Sequence, residues 1–244
     1  MLNNISEVTT MFETIRTGLY MCKIFIKARK VIRQSKKVSE EESWQMGYDF
    51  IRPYAQGIFK VAGTRIIYHG LENLPERKGV LFVGNHQSYL DIPALLAVME
   101  EPTAFVSKKE VGQKPFLGPI LDVVGCVHMD REDVRQSLNA IKEAAQKLER
   151  GLNMVIFPEG TRSQGPVMAE FKKGSIKAAT MVGAPIVPFR LENVYAIFEG
   201  NKGIKVKPAE VHIYFGEMID VASMTRAEQK ELGGKMKEIV ESLK

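Results

Sequence analysis

Between residues 64 and 215, seven short apolar runs, at 65–68, 80–83, 104–106, 123–124, 154–157, 186–189 and 211–215, alternate with segments of helical periodicity. Most are nearly continuous in apolar character and too short for ordinary helices, the pattern of strands covered on both faces. Strands that alternate with helices pack as α/β layers. The expectation is a single α/β domain with a mostly parallel or mixed central sheet flanked by helices on both faces. The 244 residues, 45% of them hydrophobic, suffice for one sizeable core. Helices are predicted at 92–99, 131–150, 172–182 and 225–243. The second places Val134, Leu138, Ile141, Ala145 and Leu148 on one face, with Glu132 and Asp133 in its first turn and Gly151 beyond its end. The last opens on a capping box formed by Thr225 and Glu228.

Ahead of this region lies a segment of different chemistry. Residues 1–37 carry Arg16, Lys23, Lys27, Arg29, Lys30, Arg33, Lys36 and Lys37 against only Glu7 and Glu13, whereas the whole chain has a formal charge of +5. The basicity is therefore local. Met11, Phe12, Ile15, Leu19, Tyr20, Met21, Ile24, Phe25, Ile26, Val31 and Ile32 are interleaved with these cations in a pattern that suits a helix with a broad apolar face. Such a helix docks at a membrane interface, binds nucleic acid, or packs on the core with a solvated basic edge. Large aliphatic residues between the cations argue against nucleic acid, and the interruptions argue against a bilayer span. A second helix starts at Ser39, where Ser39 and Glu42 form a capping box, and Pro53 is expected to bend or restart it. Its Trp44 and Tyr48 suit either the core or a headgroup-level belt. The division expected is 1–62 for membrane-associated helices and 63–244 for the α/β domain. No cleavable leader is expected, because Lys23 and Lys27 cut the early apolar stretch. Cys22 and Cys126 have no spacing for a disulfide framework or a zinc site, which favours a reducing compartment and no metal.

The candidate chemistry begins after the run at 80–83, in Gly84-Asn85-His86-Gln87-Ser88-Tyr89-Leu90-Asp91. This reads as the carboxyl end of a strand, a polar turn and a helix start, where ligands of open α/β sheets collect. On a helix, residues five apart point roughly 140° away from each other. His86 and Asp91 can therefore meet only if His86 lies in the turn and Asp91 at the helix start. That pairing leaves one imidazole nitrogen free as a general base. The alternative is a turn histidine beside a helix cap.

Three further stretches follow: Gly125-Cys126-Val127-His128-Met129-Asp130-Arg131, Phe157-Pro158-Glu159-Gly160-Thr161-Arg162-Ser163 and Pro185-Ile186-Val187-Pro188. With the His86 stretch, they resemble the four blocks of the glycerolipid acyltransferases, a likeness covering residues 68–215. The second block departs from the usual form, since His128 stands where the family generally has an apolar or aromatic residue; it is expected as a strand residue and not a second base. Arg162 follows a glycine turn at a strand end and offers a planar fork suited to phosphate. Arg131 is predicted in the first turn of its helix, a position that an anionic ligand, or a salt bridge to Asp130 or Glu132, would explain. Lys108 is expected to face the site and Lys109 the solvent. Pro185 and Pro188 are expected at strand ends or on an edge.

The resemblance implies transfer of an acyl group from acyl-CoA or acyl-carrier protein to the sn-2 hydroxyl of 1-acylglycerol 3-phosphate, giving phosphatidic acid. His86 would be the base and Asp91 its orienting carboxylate. Arg162, Lys108 and Arg131 would hold the phosphate, with Glu159 and Gly160 ordering that turn. No cofactor beyond the acyl donor is implied. The expected partners are lysophosphatidic acid, the acyl donor and an anionic membrane surface, with a peripheral or monotopic place on the cytoplasmic face of the cell membrane. Another lysophospholipid, or glycerol 3-phosphate, would be an alternative acceptor, and a non-catalytic membrane scaffold an alternative role.

Overall fold

The computed structural model describes residues 2–115, 117–130 and 132–244, the first eight of these as backbone. Two N-terminal helices, α1 (Leu2–Ser35) and α2 (Glu40–Val61), precede β1 (Arg65–His69), β2 (Leu81–Gly84), α3 (Asp91–Leu96) and β3 (Thr103–Lys108). The chain continues through α4 (Lys109–Gly112), α5 (Gly118–Val124), β4 (Val127–Met129), α6 (Val134–Glu149) and β5 (Asn153–Ile156). It ends with α7 (Lys177–Val182), β6 (Ile186–Glu192), β7 (Glu210–Phe215) and α8 (Arg226–Ser242). The seven strands form one sheet in the order β1-β7-β6-β2-β5-β3-β4. Only the β6–β7 pair is antiparallel.

This order fixes where a site can form. From β2 the chain crosses to β3 through α3, which packs with α2 on one face of the sheet; α5 joins them there. From β5 it crosses back over β2 to β6 through α7, which packs with α6 on the other face. Right-handed crossovers in opposite directions require opposite faces. The loops leaving the neighbouring strands β2 and β5 therefore diverge and open a crevice at their carboxyl ends. His86 follows β2, and the stretch 157–163 follows β5.

The core confirms the strands as two-sided: Val80, Leu81, Val83, Met154, Val155, Ile186 and Val187 are fully buried. Helix α2 shares this core through Trp44, Tyr48, Ala55, Ile58 and Phe59. Tyr48 donates its hydroxyl to the Met99 carbonyl, and burial pushes its ionisation well above the ordinary range. Trp44 and Tyr48 thus belong to the core, not to a headgroup belt.

Several expected elements shift. The run at 123–124 is helical, and the strand follows at Val127–Met129. Pro119 in the first turn opens α5, and Gly125 at φ 90° closes it, so the two valines become its buried face. Helix α6 starts at Val134, with Asp133 as N-cap accepting from Arg135 N and Gln136 N, so Glu132 and Asp133 precede its first turn. Ala140, Ala144, Ala145 and Leu148 form its buried face, while Val134 and Leu138 are exposed. Ala145 and Leu148 are buried and Ile141 packs against the core as expected, but Ala140 and Ala144 take the places that Val134 and Leu138 were expected to fill, so the buried face is partly rotated. Pro188 lies inside β6 and not at a strand end. It lies between the isolated antiparallel bridge Ile186–Ile219 and the first β6–β7 ladder pair, Phe189 with Phe215, an irregular stretch where its carbonyl accepts from Gly216 N and its missing N–H breaks no regular ladder.

Candidate active site

The His86 turn is held from several sides. Asn85 continues the β2–β6 pairing with its side chain: its amide nitrogen donates to the Leu191 carbonyl at 2.9 Å, and its oxygen accepts from Leu191 N at 2.8 Å. Gln87 Oε1 accepts from Val194 N at 3.1 Å. A Cβ at Gly84 would collide with the Phe189 carbonyl and ring, so only glycine permits this close approach at the end of β2.

The turn brings His86 and Asp91 together. Nδ1 of His86 lies 2.7 Å from Oδ2 of Asp91, whose side chain is wholly buried. The same Oδ2 accepts from Gln87 N at 2.6 Å and Ser88 N at 2.9 Å. An oxygen already receiving two backbone N–H groups is an acceptor in the third bond as well, so Nδ1 carries the imidazole proton. In the neutral ring the lone pair then belongs to Nε2. Burial pushes the Asp91 carboxyl up, while the bond and charge of His86 and the two backbone donors pull it down. Phe157 stacks on the imidazole with ring centroids 4.0 Å apart and an interplanar angle of 14°. The ring is thus fixed by a hydrogen bond on its edge and an aromatic face.

The turn after β5 locks onto the same loop. Glu159 Oε1 accepts from His86 N at 2.6 Å, Oε2 accepts from Ala169 N at 2.8 Å, and Ser163 N donates to the His86 carbonyl at 2.8 Å. Both Glu159 oxygens are therefore engaged by the backbone. Burial raises its carboxyl, against the pull of these N–H groups. Gly160 has φ 75°, the left-handed conformation the turn requires. Two residues on, Arg162 lays its guanidinium over the Tyr89 ring, 3.4 Å from the centroid, and donates from Nη1 to Glu199 Oε1 at 2.8 Å.

Among the described residues, the structure thus brings together His86, Asp91, Glu159, Gly160 and Arg162. Lys108 stands exposed at the end of β3. Lys109, expected in solvent, reaches Asp130 at 3.4 Å and Gln136 at 3.2 Å. Arg131 lies outside the described residues. His128 is a β4 residue as expected, its ring nitrogens 2.7 Å from Ser107 Oγ and 2.9 Å from Asp122 Oδ1. Cys126 is buried, which pushes its thiol up to about 12 and makes it a poor nucleophile. No cluster of three His, Cys, Asp or Glu suited to a metal occurs among the described residues.

Residues 65–192, more than half of the chain, match the Acyltransferase family. The chain belongs to the acyltransferase family. It is 33% identical over 172 residues to the 1-acyl-sn-glycerol-3-phosphate acyltransferase of Borreliella burgdorferi, covering 70% of this chain and 68% of that protein. To a protein of the same name from Chlamydomonas reinhardtii it is 36% identical over 177 residues, covering 69% of this chain and 53% of that one. The chain therefore spans about half to two thirds of these relatives. The crystal structure of the 1-acyl-sn-glycerophosphate acyltransferase PlsC from Thermotoga maritima superposes with a TM-score of 0.80 over 96% of this chain and 94% of that one, at 24% identity, and so shares the fold.

In this acyltransferase the four sequence blocks do not contain the whole constellation. Asn85 ties the His86 turn to β6 through Leu191, and Ser88 ties it to Glu199 in the segment after β6, each partner more than 100 residues away. Ser88 and Asn85 lie in the first block, and no local signal shows what they bind. Glu199 lies in Ala196-Ile197-Phe198-Glu199-Gly200, a stretch with neither motif nor periodicity.

Proposed function

We propose that this acyltransferase transfers an acyl group from acyl-CoA or acyl-carrier protein to the sn-2 hydroxyl of 1-acyl-sn-glycerol 3-phosphate, forming phosphatidic acid. The observation that carries the proposal is the His86–Asp91 pair, with Nδ1 committed as donor and Nε2 free, and the Arg162 guanidinium resting over Tyr89 of the same loop. Nε2 takes the proton of the acceptor hydroxyl as its oxygen attacks the thioester carbonyl. The tetrahedral intermediate collapses, the C–S bond breaks, and the imidazolium returns its proton to the departing thiolate. Asp91 fixes the ring and stabilises the imidazolium. Arg162, with Lys108 and Arg131 assigned to the same task, binds the acceptor phosphate. Glu159 and Gly160 hold the turn that carries Arg162. The acyl thioester is the only co-substrate the reaction needs, and the names of the two relatives support this acceptor.

The test is thiol release from acyl-CoA, and separately from acyl-carrier protein, with and without acceptor. Release is expected with 1-acyl-sn-glycerol 3-phosphate and not with buffer alone. Equal release in both arms would overturn transfer, and faster release with glycerol 3-phosphate or another lysophospholipid would replace the acceptor.

The same reading gives α1 a membrane role at the cytoplasmic face. No helix among the described residues is long and apolar enough to cross a membrane. Ile24 and Ala28 of α1 pack on the protein, whereas Phe12, Ile15, Leu19, Cys22 and Ile26 recur at intervals of three and four and are exposed or nearly so, as a second apolar stripe. Lys23, Lys27, Arg29, Lys30 and Arg33 accompany it, each cation contributing about 1 kcal/mol near an anionic leaflet. Replacing Phe12, Ile15 and Leu19 together by Gln leaves the packed face alone. That variant is expected to stay in the supernatant when wild type sediments with anionic vesicles. Equal sedimentation of the two proteins would refute the docking role.

A further inference from the structure

Arg162 is not free to choose its direction. Among the described residues its hydrogen-bond partner is Glu199, whose side chain is only 5% exposed. That carboxylate gathers three donors: Arg162 Nη1 and Tyr89 N on Oε1, each at 2.8 Å, and Ser88 Oγ on Oε2 at 2.6 Å. Ser88 Oγ in turn accepts from Leu90 N at 3.0 Å. Two of these donors, Ser88 and Tyr89, lie in the loop between His86 and Asp91. The third is the guanidinium itself, which sits over the Tyr89 ring. One buried carboxylate therefore references the guanidinium to the loop that carries the base.

We infer that Glu199 is a positioning residue, which orients Arg162 so that an anionic acceptor headgroup sits in register with the His86 imidazole. The inference rests on the reading of Arg162 as the phosphate binder. Charge alone argues the opposite effect. A carboxylate beside the guanidinium repels a phosphate and competes for its donors, so its removal would tighten acceptor binding if Coulomb attraction decided the matter. Orientation wins if the fork must be held planar over Tyr89 to meet phosphate with its remaining N–H groups, since an Arg side chain left alone has many rotamers. The sign of the effect separates the two.

The experiment compares steady-state kinetics of wild type, Glu199→Gln, Arg162→Ala and the double variant on lysophosphatidic acid. Glutamine keeps the shape but removes the charge and offers one acceptor oxygen for three donors. Glu199→Gln is expected to raise the acceptor KM about tenfold, the size of effect for losing a charge-assisted hydrogen bond. The KM for the acyl donor and the melting temperature should stay near wild type. Glu199→Asp, which keeps the charge, should recover part of the loss, and it serves as the second variant if the glutamine protein folds poorly. In the Arg162→Ala background, Glu199→Gln should change the acceptor KM less than twofold. A lower or unchanged KM in the single variant overturns the inference, as does the same rise without Arg162, which would show that Glu199 acts through the Ser88–Tyr89 loop. If Arg162→Ala itself leaves the acceptor KM unchanged, the phosphate reading falls and the inference with it. If Arg162→Ala raises it and Glu199→Gln does not, only the inference falls.

Discussion

His86→Ala lowers acyl transfer by about 10²–10⁴-fold, the contribution of a positioned general base. The size follows from how completely the ring is committed. Nδ1 is bonded to Asp91, one face is covered by Phe157, and the neighbouring backbone N–H and carbonyl are held by Glu159 and Ser163. No other imidazole shares this loop, so no substitute base is at hand. The variant also leaves the buried Asp91 with two backbone donors instead of three partners, and its Oδ1 already lacks one. Stability should therefore fall by about 1–3 kcal/mol, as for a buried acceptor losing a partner. Thermal melting separates this from catalysis: a cooperative transition at a reduced midpoint with activity lost at temperatures well below it. Asp91→Asn keeps the shape, still accepts the two backbone N–H groups, and loses the charge that stabilises imidazolium. Its turnover should fall substantially with little change in KM. A well-folded His86→Ala protein with near-normal turnover would remove His86 from the mechanism.

That pair was legible in the sequence because its members are five residues apart and meet through a single turn, so the geometry is set locally. The central strands were legible for a related reason: burial on both faces leaves a nearly continuous apolar run at β2 and β5. The failures share a cause too. Val123 and Val124 look like a strand because β-branched pairs favour one, and only the Gly118-Pro119 opening and the Gly125 cap make them a helix. The broad apolar face of α1 resolves into two stripes, one packed through Ile24 and Ala28 and one open through Phe12, Ile15 and Leu19. Periodicity alone could not divide them, since each has helical spacing. Glu199 was not legible at all. A carboxylate that meets its partners across 37 and 111 residues depends on the sheet order, which brings the segment after β6 beside β2.

Arg162→Ala lowers transfer to 1-acyl-sn-glycerol 3-phosphate by about 2–4 kcal/mol in transition-state terms, or roughly 30- to 900-fold in kcat/KM, as for truncating one member of a desolvated charge pair. The structure adds a complication to this expectation. Removing the guanidinium also takes a cation from the buried Glu199, which keeps only Ser88 Oγ and Tyr89 N. Some of the loss could then report a disturbed His86 loop and not a missing phosphate contact. Monoacylglycerol, which keeps the hydroxyl and lacks the phosphate, separates the two. Wild type should use it poorly. If Arg162 binds phosphate, Arg162→Ala should cost little more on this acceptor, because the partner is already gone; whatever it does cost measures the freed carboxylate. The difference between the two losses is the phosphate interaction. Arg162→Lys should restore charge to Glu199 but not the planar fork, so its activity on monoacylglycerol should return to wild type while that on the phosphorylated acceptor recovers only in part. Equal losses on both acceptors would assign Arg162 to the architecture of the loop and leave the phosphate to Lys108 or Arg131.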